Sequence, residues 1–312
     1  MKRIGFILLI FLIVLYLLLA PAQALDASAN GIRLWFNTLL PALLPFMILS
    51  NLLISTGGAA FLLRFVPPAF QKILGLSPYG IYAFSLGLFC GYPMGAKLTA
   101  DLYREHKITR NEGEYLLTVS NNPGPAFVTG YLLHHLLNAE HLQIPAFLLL
   151  YFSEFLCCMI FRIFYSRFHL EIPPETITKK EVSEVPLPEL LDTSIMNGFE
   201  SITKLGGYIL LFSLLSGILE QILPAASPAC GLIMAVNELT SGTAKVAQLP
   251  WDFSMRFSVI LGAASFGGIS CIFQTSSMIR GTDLSLGMYS LAKAVNGLLT
   301  FILCRLFFLF IL

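Results

Sequence analysis

The sequence predicts an all-α, polytopic membrane protein arranged as an inverted repeat, with two re-entrant hairpins and helices broken within the membrane. Composition carries the first step: 56% of the 312 residues are hydrophobic and 12% are charged. Mean hydropathy is +0.77, so several apolar runs reach the ~20 residues that cross a bilayer as a helix. The second observation is a pair of interruptions, Gly91-Tyr92-Pro93-Met94-Gly95 and Asn121-Asn122-Pro123-Gly124-Pro125. Proline and glycine break the helix there, and hydrocarbon satisfies none of the backbone groups set free, so both breaks must face protein or a water-filled cavity. The third is that a similar order of interruptions returns in the second half under the opposite charge bias, as in inverted-topology repeats.

Residues 1–33 read as an N-terminal membrane helix and a connector. Lys2-Arg3 precede the apolar run Ile4 to Leu19, and Ala22-Gln23-Ala24 follow. The run is longer than a signal core, so it is read as an uncleaved helix with the basic pair in the cytoplasm. The polar patch Asp26 to Arg33 is the connector.

The first repeat, 34–165, opens with a span from Leu34 to Ser55. An amphipathic stretch from Phe61 to Leu74, with Arg64 and Lys72, suits the interface. The segment Tyr79 to Ala100 holds the first break. Lys97, Arg104, Lys107 and Arg110 place the loop after it inside, so the segment is read as a hairpin with Gly91 to Gly95 at its tip. From Glu114 the chain crosses with the second break in mid-span and returns through Ile144 to Arg162. Residues 166–192, rich in Pro, Glu and Lys, read as a cytoplasmic linker.

The second repeat and C-terminal helix, 193–312, begin with a span from Leu205 to Leu223. The segment Ala229 to Ala247 is interrupted at Asn237-Glu238-Leu239-Thr240-Ser241-Gly242, and Phe253 to Ile279 at Gly267-Gly268-Ile269-Ser270. A last helix runs from Leu286 to Phe310, giving about seven full spans and two hairpins. The best residue match between halves is Met94-Gly95-Ala96-Lys97 against Ser241-Gly242-Thr243-Ala244-Lys245.

Several function classes fall away. A formal charge of +1, with basic residues scattered between apolar runs, does not make a nucleic-acid surface. The six cysteines lack the spacing of a zinc or redox site and read as small buried hydrophobes. No zinc-protease helix, phosphate loop or nucleophile elbow occurs, so neither an enzyme nor a resident cofactor or metal is expected. His134, His135 and His141 read as exposed at a helix end.

Broken helices at membrane depth are where transporters hold solutes, so the site is expected at the breaks. Gly91, Tyr92 and Pro93 form one wall, Asn121 and Asn122 another. Thr240, Ser241, Gln274, Thr275 and Ser276 offer donors and acceptors, although the hydroxyl-rich run from Gln274 serves equally to bond helix to helix. Lys97 either neutralises an anion or snorkels to the surface. Glu238, a carboxylate in an apolar segment, is the candidate to bind a coupling cation or carry a proton, and Asn121 with Asn122 beside freed carbonyls would complete a sodium site. Whether Na+ or H+ drives the process stays open. Glu154, on an unbroken span beside Ser153, reads as a structural hydrogen-bonding group.

The wording of these segments is also informative. Leu34-Trp35, Leu40-Pro41-Ala42-Leu43-Leu44-Pro45-Phe46, Gly91 to Lys97 and Ser120 to Pro125 strongly resemble the YlbJ-type sporulation integral membrane proteins, which carry the nucleoside-recognition or Gate signature. The second half is similar more loosely, through Glu238 to Gly242 and Phe266-Gly267-Gly268-Ile269-Ser270. The resemblance implies transport of dipicolinic acid across the outer forespore membrane, from mother cell toward forespore. The order of elements is also similar to the concentrative nucleoside transporters, which set two hairpins and two unwound helices around their substrate. Half-helix N-termini would then meet the carboxylates of the dianion. The expected function is a membrane transporter or facilitator of a small organic solute. A nucleoside or other small solute is the alternative substrate, and a non-transporting scaffold of the spore envelope the alternative class. The expected partners are the solute and the lipid bilayer, with a homo-oligomer left open.

Overall fold

The computed structural model describes residues 2–56, 68–166, 186–223 and 227–310, and among them every regular element is helical. Among these described residues, four helices are long and apolar enough to cross a membrane, or five if one bent pair at the N-terminus counts as a span. That pair is α1 (Lys2–Leu19) and α2 (Pro21–Leu34), which meet at 112° where Pro21 begins a new helix. α2 runs on through a π-helical turn, Trp35–Leu39, into α3 (Leu40–Ser55). The polar patch 26–33, expected as a connector, is therefore helical.

The rest of the first half is α4 (Pro68–Leu74), α5 (Pro78–Cys90), α6 (Met94–Arg104), α7 (Arg110–Val119), a π-helical segment Phe127–Leu136 and α8 (Gln143–Ser166). The second half holds α9 (Leu187–Ile222), α10 (Pro228–Asn237), α11 (Leu239–Ala247), α12 (Phe253–Phe266), α13 (Gly268–Met278) and α14 (Leu286–Phe310). The interfacial stretch expected at 61–74 is described only within α4, and most of the linker 166–192 lies outside the described residues. Its last part, 187–192, belongs to α9, which starts well before the expected Leu205.

The order of elements recurs: a long helix, a folded-back pair, a broken helix and a full span. Local chemistry recurs with it. Both folded-back pairs begin with a Ser-Pro start, in which Ser77 or Ser227 accepts a hydrogen bond from the first turn and Pro78 or Pro228 sits where no N–H is needed. Both broken helices begin with a side-chain cap, Thr109 for α7 and Asp252 for α12. Matched elements run antiparallel to each other. Along α9, Gly217, Ser213, Gly206 and Gly198 meet Ala27, Gly31, Trp35 and Ile48 in reverse order. Cys157, Glu154 and Ser153 of α8 likewise meet Ala292, Asn296 and Thr300 of α14.

The main hydrophobic core spans both halves, with Leu39, Met47, Phe127, Tyr131, Ile202, Ile209, Leu239, Phe257 and Ile260 buried together. α12 and α13 form one interrupted span at the centre, with 72% of its apolar window buried, against 28% for Leu286–Phe310. Large apolar side chains stand outward instead, among them Leu148, Ile163, Leu298 and Leu309. A row of exposed leucines of this extent suits lipid rather than water.

Glycines set the closest contacts. Gly87 and Gly95 face each other across the α5–α6 pair, and the carbonyl oxygen of Ser120 lies between them, 1.8 and 1.9 Å from where a Cβ at each would stand. The carbonyl released at the end of α7 is thus lodged in a slot that only two glycines leave open. In the other pair Gly242 lies against the Ala235 backbone, 2.3 Å from its would-be Cβ to Cα. Gly95 and Gly242, matched in the sequence, both lie against backbone, but of different elements: Gly95 against the end of α7 and Gly242 against α10. Gly95→Ala should cost about 3 kcal/mol or more, because backbone must move to admit the methyl, whereas the open position Gly5, with nothing within 4 Å, should accept alanine freely. Size-exclusion profiles and thermal melting of the detergent-purified variants check this.

Candidate functional site

Four helix interruptions converge. The first tip is Gly91–Pro93, between α5 and α6, with Gly91 at φ 76°. The second is the extended stretch 121–124 after α7, the third is Asn237–Glu238 between α10 and α11, and the fourth is Gly267–Gly268, both in the left-handed region that favours glycine. Each tip packs on the break of its own half: Gly91 lies against Gly124, and Gly268 against the backbone of Ala235, Val236 and Leu239. Two tyrosines then tie the halves. The Tyr92 hydroxyl is 3.3 and 3.1 Å from the carbonyls of Ala264 and Ser265 at the end of α12, and Tyr131 donates to the Thr240 carbonyl at 2.8 Å.

A small cavity of about 50 Å³ lies at this junction. Glu238, Thr240, Gln274 and Tyr92 give it polar walls, and Leu39, Leu43, Phe127, Leu205 and Leu239 give it apolar ones. Both halves contribute. The Gln274 side-chain oxygen is buried without a protein partner among the described residues.

Of the residues expected at the site, Gly91, Tyr92, Glu238, Thr240 and Gln274 line this cavity, and Pro93 caps α6 beside it. Ser241 stands one step behind. Glu238 is the N-cap of α11: one carboxylate oxygen accepts from the Thr240 amide (3.0 Å), the other from the Ser241 amide (2.7 Å) and from the hydroxyls of Thr240 (2.6 Å) and Ser241 (2.8 Å). This explains how an apolar segment carries it, since the charge meets the positive end of its own helix and four donors. Lys97 is not at the cavity. It pairs with Asp101 at 3.4 Å and is about a third exposed, and its counterpart Lys245 pairs with Glu220 at 2.9 Å. Ser276 is exposed on α13.

Asn121, Asn122 and Thr275 enter a second polar centre, built on one face of α14. Tyr289, Lys293, Asn296 and Thr300 are all buried there, at the four- and three-residue steps that share a helix face. Asn121 donates to Thr275 and Tyr289, both at 3.0 Å. The Lys293 ammonium donates to Asn122 Oδ1 at 2.6 Å, lies 3.9 Å from Glu154 and sits 5.7 Å from the centre of the Tyr92 ring. Asn296 donates to the same Glu154 oxygen at 2.6 Å, and Thr300 bonds both Ser153 and Ser265 at 2.7 Å. Sequence reasoning missed this face. The signal was available: Lys293 is a lysine inside a 25-residue apolar helix, which is a functional-site hypothesis by default in a membrane.

Outside the spans, Arg104 donates to the carbonyls of Met278 (2.8 Å) and Arg280 (2.7 Å), and Tyr103 to Asp283 at 2.7 Å. The Tyr103 hydrogen bond, joined by Arg110, holds the Asp283 carboxyl below its ordinary range. These contacts pin the end of the first hairpin to the α13–α14 loop. All six cysteines are free and buried.

The chain is 24% identical over 309 residues to the sporulation integral membrane protein YlbJ of Bacillus subtilis (strain 168), an alignment covering 89% of this chain and 76% of that protein. No family model and no solved structure matches it. With its apolar spanning helices, this similarity marks an integral membrane protein.

Glu238→Ala removes the acceptor for two amides and two hydroxyls in one step. It should cost about 2 kcal/mol, the upper range for a lost cap, while Ser276→Ala should change stability by less than about 0.5 kcal/mol. Thermal melting of the two purified variants beside the parent reads the difference.

Proposed function

We propose that this chain, whose similarity supports a YlbJ-type family, is a secondary transporter or facilitator of a small organic solute. One observation carries the reading: a small cavity where hairpin tips and helix breaks meet, with polar walls supplied by both halves. Discontinuous helices around a central site are how such transporters hold a solute at the membrane midplane. The recurring element order, together with the antiparallel course of α3 against α9 and of α8 against α14, supports an inverted-topology repeat similar to that of the concentrative nucleoside transporters. Rocking of one half against the other would then open the cavity to each side in turn.

Dipicolinic acid, moved across the outer forespore membrane, is the substrate we assign first, because the resemblance in the tip and break segments implies it. The sporulation setting of the Bacillus relative supports the same location. Phe127 and the leucines suit the face of an aromatic ring, and Gln274 and Thr240 suit polar atoms at its edge. The Glu238 carboxylate favours a second reading. Its charge opposes a bare dianion, so an acid must arrive with a proton or cation, whereas a neutral nucleoside could use Glu238 as an acceptor for its hydroxyls.

Proteoliposomes given labelled dipicolinate or a labelled nucleoside, under imposed Na+ or H+ gradients, decide between them. Gln274→Leu should reduce uptake of the true substrate about tenfold, the equivalent of one strong hydrogen bond, and Ser276→Ala should leave it unchanged. Folded protein that moves neither solute would make the chain a scaffold of the envelope membrane instead.

A further inference from the structure

The α14 centre poses a separate problem of charge. Lys293 is wholly buried at the middle of the bundle, and Glu154, the nearest carboxylate, is 3% exposed. A lone charge at that depth costs several kcal/mol in a membrane. The ammonium is held on three sides. Asn122 presents Oδ1 to it because Asn122 Nδ2 is committed to the Val119 carbonyl at 2.8 Å. The Tyr92 ring offers its electron-rich face, and Glu154 supplies the countercharge. Lys293 thus stands between the first hairpin tip and the second helix break. Freed carbonyls and half-helix ends of such breaks are where coupling cations bind in transporters built on discontinuous helices, and Asn121 and Asn122 carry that expectation in the sequence.

We infer that Lys293 is a tethered cation: its ammonium fills the place that a coupling Na+ would take between tip and break, so the protein needs no Na+ to hold its two halves together or to turn over. The surroundings fit a positive charge with room to change partners. Glu154 Oε1, Asn121 Oδ1 and Asn296 Oδ1 are buried acceptors without protein partners among the described residues. The ammonium carries three N–H groups, and only one is spent on a close oxygen, that of Asn122. A small rotation of the long lysine stem can hand it to Glu154, 3.9 Å away, without moving the charge out of the site. A mobile ion would have to leave and rebind at each cycle, whereas a tethered one stays.

The inference rests on the transporter reading only for its consequence in turnover, and its test has an arm that needs no substrate. Thermal melting of the purified full chain in NaCl and in choline chloride should give the same midpoint. Lys293→Ala leaves Glu154 unanswered beside an ion-sized gap, so its midpoint in choline chloride should fall by about 5 °C or more and recover in part in NaCl or ammonium chloride. Adding Glu154→Gln to Lys293→Ala should restore stability in choline chloride, because both charges are then gone. If Lys293→Ala cannot be purified, this double variant carries the comparison. Specific stabilisation of the parent by Na+ would overturn the inference, as would a double variant that remains as weak as Lys293→Ala, which would make the lysine a packing element. In proteoliposomes, equal uptake in Na+ and choline media supports it, and a strict Na+ requirement overturns it. If no solute moves at all, the transporter reading fails while the melting arm still decides what Lys293 does.

Discussion

Every feature of this protein's centre follows from the need to satisfy backbone that is neither helix nor exposed to water. Four interruptions release donors and acceptors inside a bundle whose outer face is apolar, and each unsatisfied group there would cost several kcal/mol. The answers are local but come from different elements. The Val119 carbonyl is answered by Asn122, and the carbonyls that end α12 are reached by Tyr92 from the other half. Tyr131, also of the first half, donates to the Thr240 carbonyl. The second half therefore keeps the end of α12 only with the first half docked on it, and the cavity is what remains between groups that had to meet.

The same economy governs charge. Glu238, Glu154 and Lys293, near the breaks, are balanced in two ways. Glu238 is balanced by its own helix start and by hydroxyls two and three residues on. Glu154 and Lys293 are balanced by each other and by asparagines from two elements. A carboxylate that caps a helix is fixed in place, because moving it would strip four hydrogen bonds at once. A lysine with one close acceptor and a long stem is not fixed in that way. We accordingly treat Glu238 as shaping the tip and one wall of the cavity, and the α14 centre as the part with freedom to rearrange.

The tyrosine ties also bear on motion. Tyr92 lines the cavity, bonds the end of α12 and presents its ring to Lys293, so a shift of the first tip would disturb cavity, break and ammonium together. Both ties run from the first half to backbone of the second. The rim contacts of Arg104 with the carbonyls of Met278 and Arg280 would have to be remade in any such shift.

The sequence by itself determined the membrane class, the all-helical build and where the helices stop, because apolar length and the backbone chemistry of proline and glycine are local properties. Gly91 to Gly95, Asn121 to Pro125 and Gly267-Gly268 mark interruptions that lie where the residues put them. The third break, at Asn237–Glu238, is shorter than the motif suggested because Glu238 restarts the helix at Leu239. Composition misled at 26–33, where polar residues form a helix facing α9. Only the tertiary structure decided which side chains share a centre. Lys97 and Lys293 are both lysines near apolar helices, yet one lies one turn from Asp101 on its own helix and the other is closed in by Asn122, Glu154 and Tyr92 from three separate elements. Partners 171 and 142 positions apart, such as Lys293 with Asn122 and Asn296 with Glu154, depend on how the antiparallel helices dock, and no local pattern encodes that.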